Sequence, residues 1–253
     1  VRNCSPELFQ SFAAQQKIIL RGFGGPEEKM SPVYDEAASR LSLRPPLAEQ
    51  VIAFLQRLGT RPVVGVHLRR GDFPLLSEEA YDLHQALFSA VPLWWYEGVM
   101  HAILQRQPDT CFLLCHNGAA DAVATLKKKF TIVEMPAANP YKSETGHQSP
   151  HHPVADLFAL ACCPVILASP VSSFSHYAAN VLGSESTCLI PPSQMKKGVP
   201  TVVRVRVYRQ LLRRWIDAAC IGNGTEILPS SLDNVDFSQK AQFKWIQCGD
   251  DPV

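Results

Sequence analysis

Two arginines, a histidine and an aspartate follow an apolar run in Val63-Val64-Gly65-Val66-His67-Leu68-Arg69-Arg70-Gly71-Asp72-Phe73. Guanidinium groups are the usual partners of phosphate and of carboxylate alike. The Arg69–Arg70 pair therefore fits an anionic ligand, and equally fits surface carboxylates or the carbonyls at a helix end. Asp72, beside Arg70, is expected to stay ionised, which suits a salt bridge. The same carboxylate, a few ångströms from a bound sugar, could act as general base toward an acceptor hydroxyl.

Other polar groups end other apolar runs. His116 and Asn117 follow Cys111-Phe112-Leu113-Leu114-Cys115, and Ser169-Pro170-Val171-Ser172-Ser173-Phe174-Ser175 follows Val165-Ile166-Leu167-Ala168. Ser172, Ser173 and Ser175 sit at a helix start, where hydroxyls and backbone N–H groups form an anion site. Ordinary N-capping by Ser172 or Ser173 explains them too, but an arginine pair opposite tips the reading toward phosphate. Asp156, just after Pro153, either complements a helix dipole or accepts hydrogen bonds from a base edge such as the N1–H and N2–H of guanine. His147, His151 and His152 lack an acidic or thiol partner at metal-ligand spacing and read as a solvated loop. Lys127–129 reads as a solvated helix face. Arg204, Arg206, Arg209, Arg213 and Arg214 read as surface, with Arg206 or Arg209 able to approach a phosphate. The Gly22-Phe23-Gly24-Gly25 turn could cradle phosphate, but no strand feeds it.

The elements that position these groups are read from periodicity. Val63 to Leu68 predicts a buried strand, with His67 and Arg69 on one face and Arg70 on the other. Further strands are predicted at 111–115, 131–135, 165–168 and 187–190. Helices are predicted at 47–58, 94–105, 119–130, 154–162 and 174–182, and a final basic amphipathic helix at 203–219; Leu8 to Ile19 is also compatible with a helix. Residues 136–153 read as a mobile loop. Five strands alternating with helices predict an α/β fold, a doubly wound parallel Rossmann-type sheet. The ends of its first, second and fourth strands converge on one edge, where open α/β sheets bind ligands.

The bulk properties narrow the classes. The chain has 253 residues, 46% of them hydrophobic, and a formal net charge of +1. That balance gives no case for a nucleic-acid partner, which would need a large positive field. No apolar run approaches the ~18 residues of a transmembrane helix. The start Val1-Arg2-Asn3-Cys4 suggests an excised or processed piece. Most of the eight cysteines lie in apolar segments and are expected to be buried thiols. Asn3-Cys4-Ser5 and Asn223-Gly224-Thr225 are formal glycosylation acceptors, and cytoplasm and Golgi lumen are both compatible. Residues 1–60 read as an N-terminal segment, 61–220 as the Rossmann-like domain and 221–253 as a C-terminal extension.

His67-Leu68-Arg69-Arg70-Gly71-Asp72-Phe73 resembles the His-x-Arg-Arg-x-Asp-Tyr/Phe motif of the α1,2-, α1,6- and protein O-fucosyltransferase superfamily, closest to the α1,2 branch. Asp156-Leu157-Phe158-Ala159-Leu160-Ala161-Cys162-Cys163, Ile166-Leu167-Ala168 and Ser172-Ser173-Phe174-Ser175 resemble that branch's second half, in the same order. The resemblance covers about residues 40–190. It implies a GT-B glycosyltransferase that moves fucose from GDP-fucose to a glycan acceptor with inversion and without a metal or other cofactor. About sixty residues precede the first motif, so the N-terminal acceptor half is expected to be reduced or absent. By position, Arg69 would bind the β-phosphate and stabilise the leaving GDP, and His67 and Asp156 would contact guanine or ribose. Ser172, Ser173 and Ser175 would hold the diphosphate, and Arg70 would orient the sugar-phosphate region. The chain departs from the family in having His116-Asn117 where an Asp pair is usual, and Pro170-Val171 before the serines. Transfer of another nucleotide-activated sugar, or nucleotide-sugar binding without catalysis, remain the alternatives.

Overall fold

The computed structural model describes residues 43–221, except 87, 137–140, 143–147, 150–151, 171, 183–185, 200 and 210–211. The segment at 8–19, the Gly-rich turn at 22–25 and both glycosylation tripeptides lie outside the described residues. The chain divides into two compact units, 1–43 and 44–253.

A seven-stranded sheet organises the second unit. Its strands are β1 (Val63–Leu68), β3 (Cys111–His116), β4 (Ile132–Val133), β7 (Val165–Leu167), β8 (Thr187–Ile190), β10 (Thr201–Arg209) and β11 (Leu212–Ile221), in the order β11-β10-β8-β7-β1-β3-β4. The five from β8 to β4 are mutually parallel. Numbered among themselves by sequence, they run 3-2-1-4-5 when read from β4 to β8, the doubly wound order. The chain leaves β1 for β3 and β4, then returns to the other flank of β1 to form β7. The switch point therefore lies between β1 and β7, at the end of the His67–Asp72 segment.

All six residues of β1 are buried, as a central parallel strand covered on both faces requires. Its facing helices carry the apolar stripes expected of them. In α1 (Pro45–Leu58) the buried residues are Ala48, Val51, Phe54 and Leu55, and the helix opens with prolines and stops at Gly59, whose φ of 61° suits glycine. In α2 (Leu93–Arg106) they are Trp95, Tyr96, Val99, Met100, Ala102 and Ile103. In α3 (Ala120–Lys129), Ala122, Val123 and Leu126 face inward while Lys127 to Lys129 are exposed, two of them ion-paired to Glu134 and Glu97. Gly65 sits where a Cβ would meet the Leu160 side chain and Cys163, so the close seating of α4 (Pro153–Ala161) on β1 depends on it. α5 (Ser173–Tyr177) continues as a π-helical turn, Ala178–Leu182. Cys111, Cys115, Cys162, Cys163 and Cys188 are buried free thiols.

Two sequence expectations fail here. The helix expected at 203–219 is instead the antiparallel hairpin β10–β11, which extends the sheet beyond β8. Val203-Arg204-Val205-Arg206-Val207 alternates with period two and is rich in β-branched residues, a strand pattern. Five basic residues at roughly helical spacing masked it. Short strands also form where none was predicted: β2 (Ala80–Asp82) pairs antiparallel with β9 (Gln194–Lys196), and within the segment expected as a mobile loop β5 (Tyr141–Lys142) pairs with β6 (Gln148–Ser149). Strands of two or three residues are too short to show a period.

Candidate functional site at the switch point

β1 and β7 are tied together where they end. The buried Ser169 hydroxyl donates to the His67 carbonyl (2.7 Å) and accepts from the Arg69 amide (3.2 Å). The Tyr96 phenol of α2 lies 3.1 Å from both the His67 carbonyl and the Ser169 hydroxyl. Burial pushes that phenol up to about 12, opposed by its hydrogen bond to Ser169, so it stays an O–H donor. Three elements thus fix the direction in which the chain leaves β1.

Beyond that point the side chains separate by face, as strand alternation requires. On one face lie His67 and Arg69. The His67 ring is 6% exposed, stands 4.9 Å from the Phe174 ring of α5, and its Nδ1 has no hydrogen-bond partner. Burial first, and the Arg69 charge second, lower its pKa to about 3. It is a neutral imidazole with one nitrogen unspent.

Arg69 reaches across the switch point, where its Nη1 donates to the Ser172 hydroxyl of α5 at 3.2 Å. Ser172 is the N-cap residue of α5 but makes no side-chain cap bond. Its hydroxyl therefore serves the arginine rather than the helix. The other nitrogens of Arg69 fork onto Asp72: Nε is 3.1 and 3.2 Å from its two oxygens and Nη2 is 2.6 Å from Oδ2. The guanidinium also lies 4.3 Å above the Phe73 ring. Ser175, 1% exposed, carries an Oγ with no hydrogen-bond partner, an uncommon state for a buried hydroxyl. Ser173 opens α5. Asp156 is buried in the first turn of α4, and its carbonyl accepts from the Cys115 thiol, whose pKa is driven upward by burial.

Arg70 points to the other face and pairs with Glu78. That glutamate also accepts from the Leu93 amide at 3.1 Å, and its carbonyl accepts from the Trp94 indole at 2.8 Å. Sequence adjacency suggests Arg70 as the partner of Asp72; the turn at Gly71 brings Arg69 there instead. The Arg69 hydrogen bond, followed by that of Asn117, holds the Asp72 carboxyl below the usual carboxylate range despite the opposing effect of burial.

Asn117 clamps this turn. Its Oδ1 accepts from the amides of Arg70 (3.1 Å) and Gly71 (2.9 Å), and its Nδ2 donates to Asp72 (2.5 Å). A Cβ at Gly71 would run into the Asn117 backbone carbonyl. The partner turn is itself unusual, with Gly118 at φ 124° and Ala119, a non-glycine, at φ 67°. His116 turns away from the arginines, 2.8 Å from the Gly118 carbonyl and 3.2 Å from Glu134.

The structure thus brings His67, Arg69, Asp72, Ser172 and the Asn117 clamp together, and directs Arg70 and His116 into other contacts. Glu78, Ser169, Phe73 and Tyr96 were missed as site residues. Ser169, directly after an apolar strand, was the most visible of them. Among the described residues no group of three or more His, Cys, Asp or Glu side chains could hold a metal ion, and no helix is long and apolar enough to cross a membrane.

No protein-family model matches the sequence, and no curated protein does. Solved structures do. The fucosyltransferase NodZ from Bradyrhizobium is similar over 61% of this chain and 48% of its own, at 17% identity and a TM-score of 0.41. NodZ α1,6-fucosyltransferase soaked with GDP-fucose gives 61%, 49%, 17% and 0.42. POFUT1 in complex with GDP is similar over 68% of this chain and 54% of its own, at 15% identity and a TM-score of 0.41. The chain spans about half the length of these structures. Likenesses of this strength leave the chemistry to be read from the side chains.

Proposed function

We propose that this unit is the donor-binding half of an inverting glycosyltransferase that moves fucose from GDP-fucose to a glycan hydroxyl without a metal. The observation that carries the proposal is the Arg69–Ser172 hydrogen bond across the switch point, on residues that resemble two fucosyltransferase motifs. A doubly wound sheet takes nucleotides in that crevice. One side of it presents a guanidinium and the other the Ser172 hydroxyl; Ser175, three residues further along α5, has a buried hydroxyl with no hydrogen-bond partner.

In the transfer, the bond between the anomeric carbon and the β-phosphate oxygen breaks, and its electron pair stays on GDP. The acceptor oxygen attacks from the opposite face, and its proton passes to solvent water or to the departing diphosphate. Arg69 meets the charge developing on the diphosphate, and the serine hydroxyls add donors; preorganised donors of this kind are worth several kcal/mol in a dry site. His67, as a neutral imidazole, and Asp156 would face guanine or ribose. Arg70, anchored on Glu78, holds the loop that borders the sugar. Asp72 aligns Arg69 through the fork, and its lowered pKa makes it a weaker base than the proton transfer calls for.

A calorimetric panel of GDP-fucose, GDP-mannose and UDP-sugars, followed by hydrolysis and transfer assays, tests the proposal. Preference for GDP-fucose with turnover supports it. Preference for a UDP-sugar points to another transferase, and binding without turnover to any acceptor points to a non-catalytic module.

A further inference from the structure

A cavity of about 430 Å³ lies between the β2–β9 pair and the segments around Leu76–Ser77 and Gln85–Ala90. It is joined to the arginine turn through Phe73 and Pro74. The Ala90 amide on its wall donates to the Pro74 carbonyl at 2.9 Å, and neighbouring Phe88 stacks edge-on against Phe73, the ring beneath Arg69. Its size suits a ligand of one to two sugar rings.

Its walls are of two kinds. Tyr81, Met195, Ala80 and Ala90 supply apolar surface, while Ser77, Asp82, Gln85 and Gln194 supply hydrogen-bonding groups. Asp82 and Gln194 are paired across β2 and β9, with Gln194 Nε2 donating to Asp82 Oδ2 at 2.9 Å, so each keeps oxygen lone pairs to offer. Among the described residues, the charged groups on the walls are Asp82 and Lys196, which cancel. The phenol of Tyr81 is 3% exposed, and the Ser89 hydroxyl beside it does not complete a full hydrogen bond to its oxygen. Burial raises its pKa, with the nearby Ser89 hydroxyl opposing weakly; Ser89 itself donates to the Ala86 carbonyl. A buried hydroxyl left unpaired costs free energy unless a ligand completes it.

We propose that this cavity binds a neutral saccharide and, resting on the transferase reading above, that it is a subsite for the acceptor glycan. A neutral sugar matches the cavity in each respect: an apolar face for the Tyr81 and Met195 surface, hydroxyls for the carboxylate–amide pair, an oxygen for the Tyr81 O–H, and no net charge.

Saturation-transfer NMR on the full chain, with lactose, chitobiose and maltotriose as probes and sialyllactose as the charged control, tests this alongside GDP calorimetry. At least one neutral probe is expected to bind. Tyr81→Phe should weaken it about tenfold, the worth of one buried hydrogen bond. Gln85→Ala, an exposed position whose loss leaves the packing intact, should weaken it as well, and both variants should bind GDP as the parent does. Failure of every neutral probe while GDP binds overturns the saccharide site alone, as does equal binding by both variants or a preference for the charged control. Saccharide binding without GDP binding instead overturns the donor reading and with it the acceptor role.

Discussion

Removing the Asn117 side chain tests whether the arginine turn is held from outside or holds itself. Asn117→Ala deletes three hydrogen bonds, two from the Arg70 and Gly71 amides and one to Asp72. The turn is largely open to solvent, so water replaces Asn117 at the two amides and each loss costs about 0.5 kcal/mol. The bond to the Asp72 carboxylate is charge-assisted but solvent-screened, and is worth about 1 kcal/mol. The sum is about 2 kcal/mol, read as a lower urea midpoint at unchanged slope. Asn117→Asp keeps the acceptor for both amides but sets a second carboxylate against Asp72. Its penalty should be larger at neutral pH and fade below about pH 4, as one of the two takes a proton. A loss under about 0.5 kcal/mol for Asn117→Ala, or a pH-independent penalty for Asn117→Asp, would refute the clamp.

The neighbouring residues give further expected outcomes. The folded pKa of His67, about 3, lies below its ordinary value, so the unfolded chain holds more protons between about pH 3 and 6.5. Stability should therefore rise with pH across that window, by on the order of 4 kcal/mol from this group, and level off above it. His67→Gln should flatten the acid limb in urea titrations, and an unchanged limb would count against a buried neutral imidazole. Because Ser172 makes no cap bond, Ser172→Ala should cost less than the ~1 kcal/mol typical of a lost cap while lowering GDP affinity several-fold. A full capping loss with unaltered GDP affinity would reverse the roles assigned to that hydroxyl.

Much of this architecture is legible in the chain because burial writes a strong pattern. The largely apolar β1, β3 and β7 runs and the helices between them have the period and length that a covered parallel sheet imposes, and their order alone places Arg69 and Ser172 at one edge. The rest is set by features that leave little or no local pattern. In the β10–β11 hairpin, arginines alternating with valines satisfy a polar helical face and a strand equally well when charge is weighed before period. The β2–β9 pair joins residues more than a hundred positions apart through strands of three. The partners of Arg70 and Asp72 depend on how sharply the chain turns at Gly71, and that is set by Asn117, forty-five residues beyond Asp72. Local adjacency paired the wrong arginine with the aspartate for this reason.

In the proposed function Arg69 grips a nucleoside diphosphate at the switch point. Titrating GDP into the parent chain and Arg69→Ala, with unfolding curves to show that both are folded, tests it most directly. A charge-assisted contact to phosphate is worth about 1.5–3 kcal/mol, so the variant is expected to lose at least about tenfold in GDP affinity; a folded Arg69→Ala that binds GDP as tightly as the parent would sink the proposal.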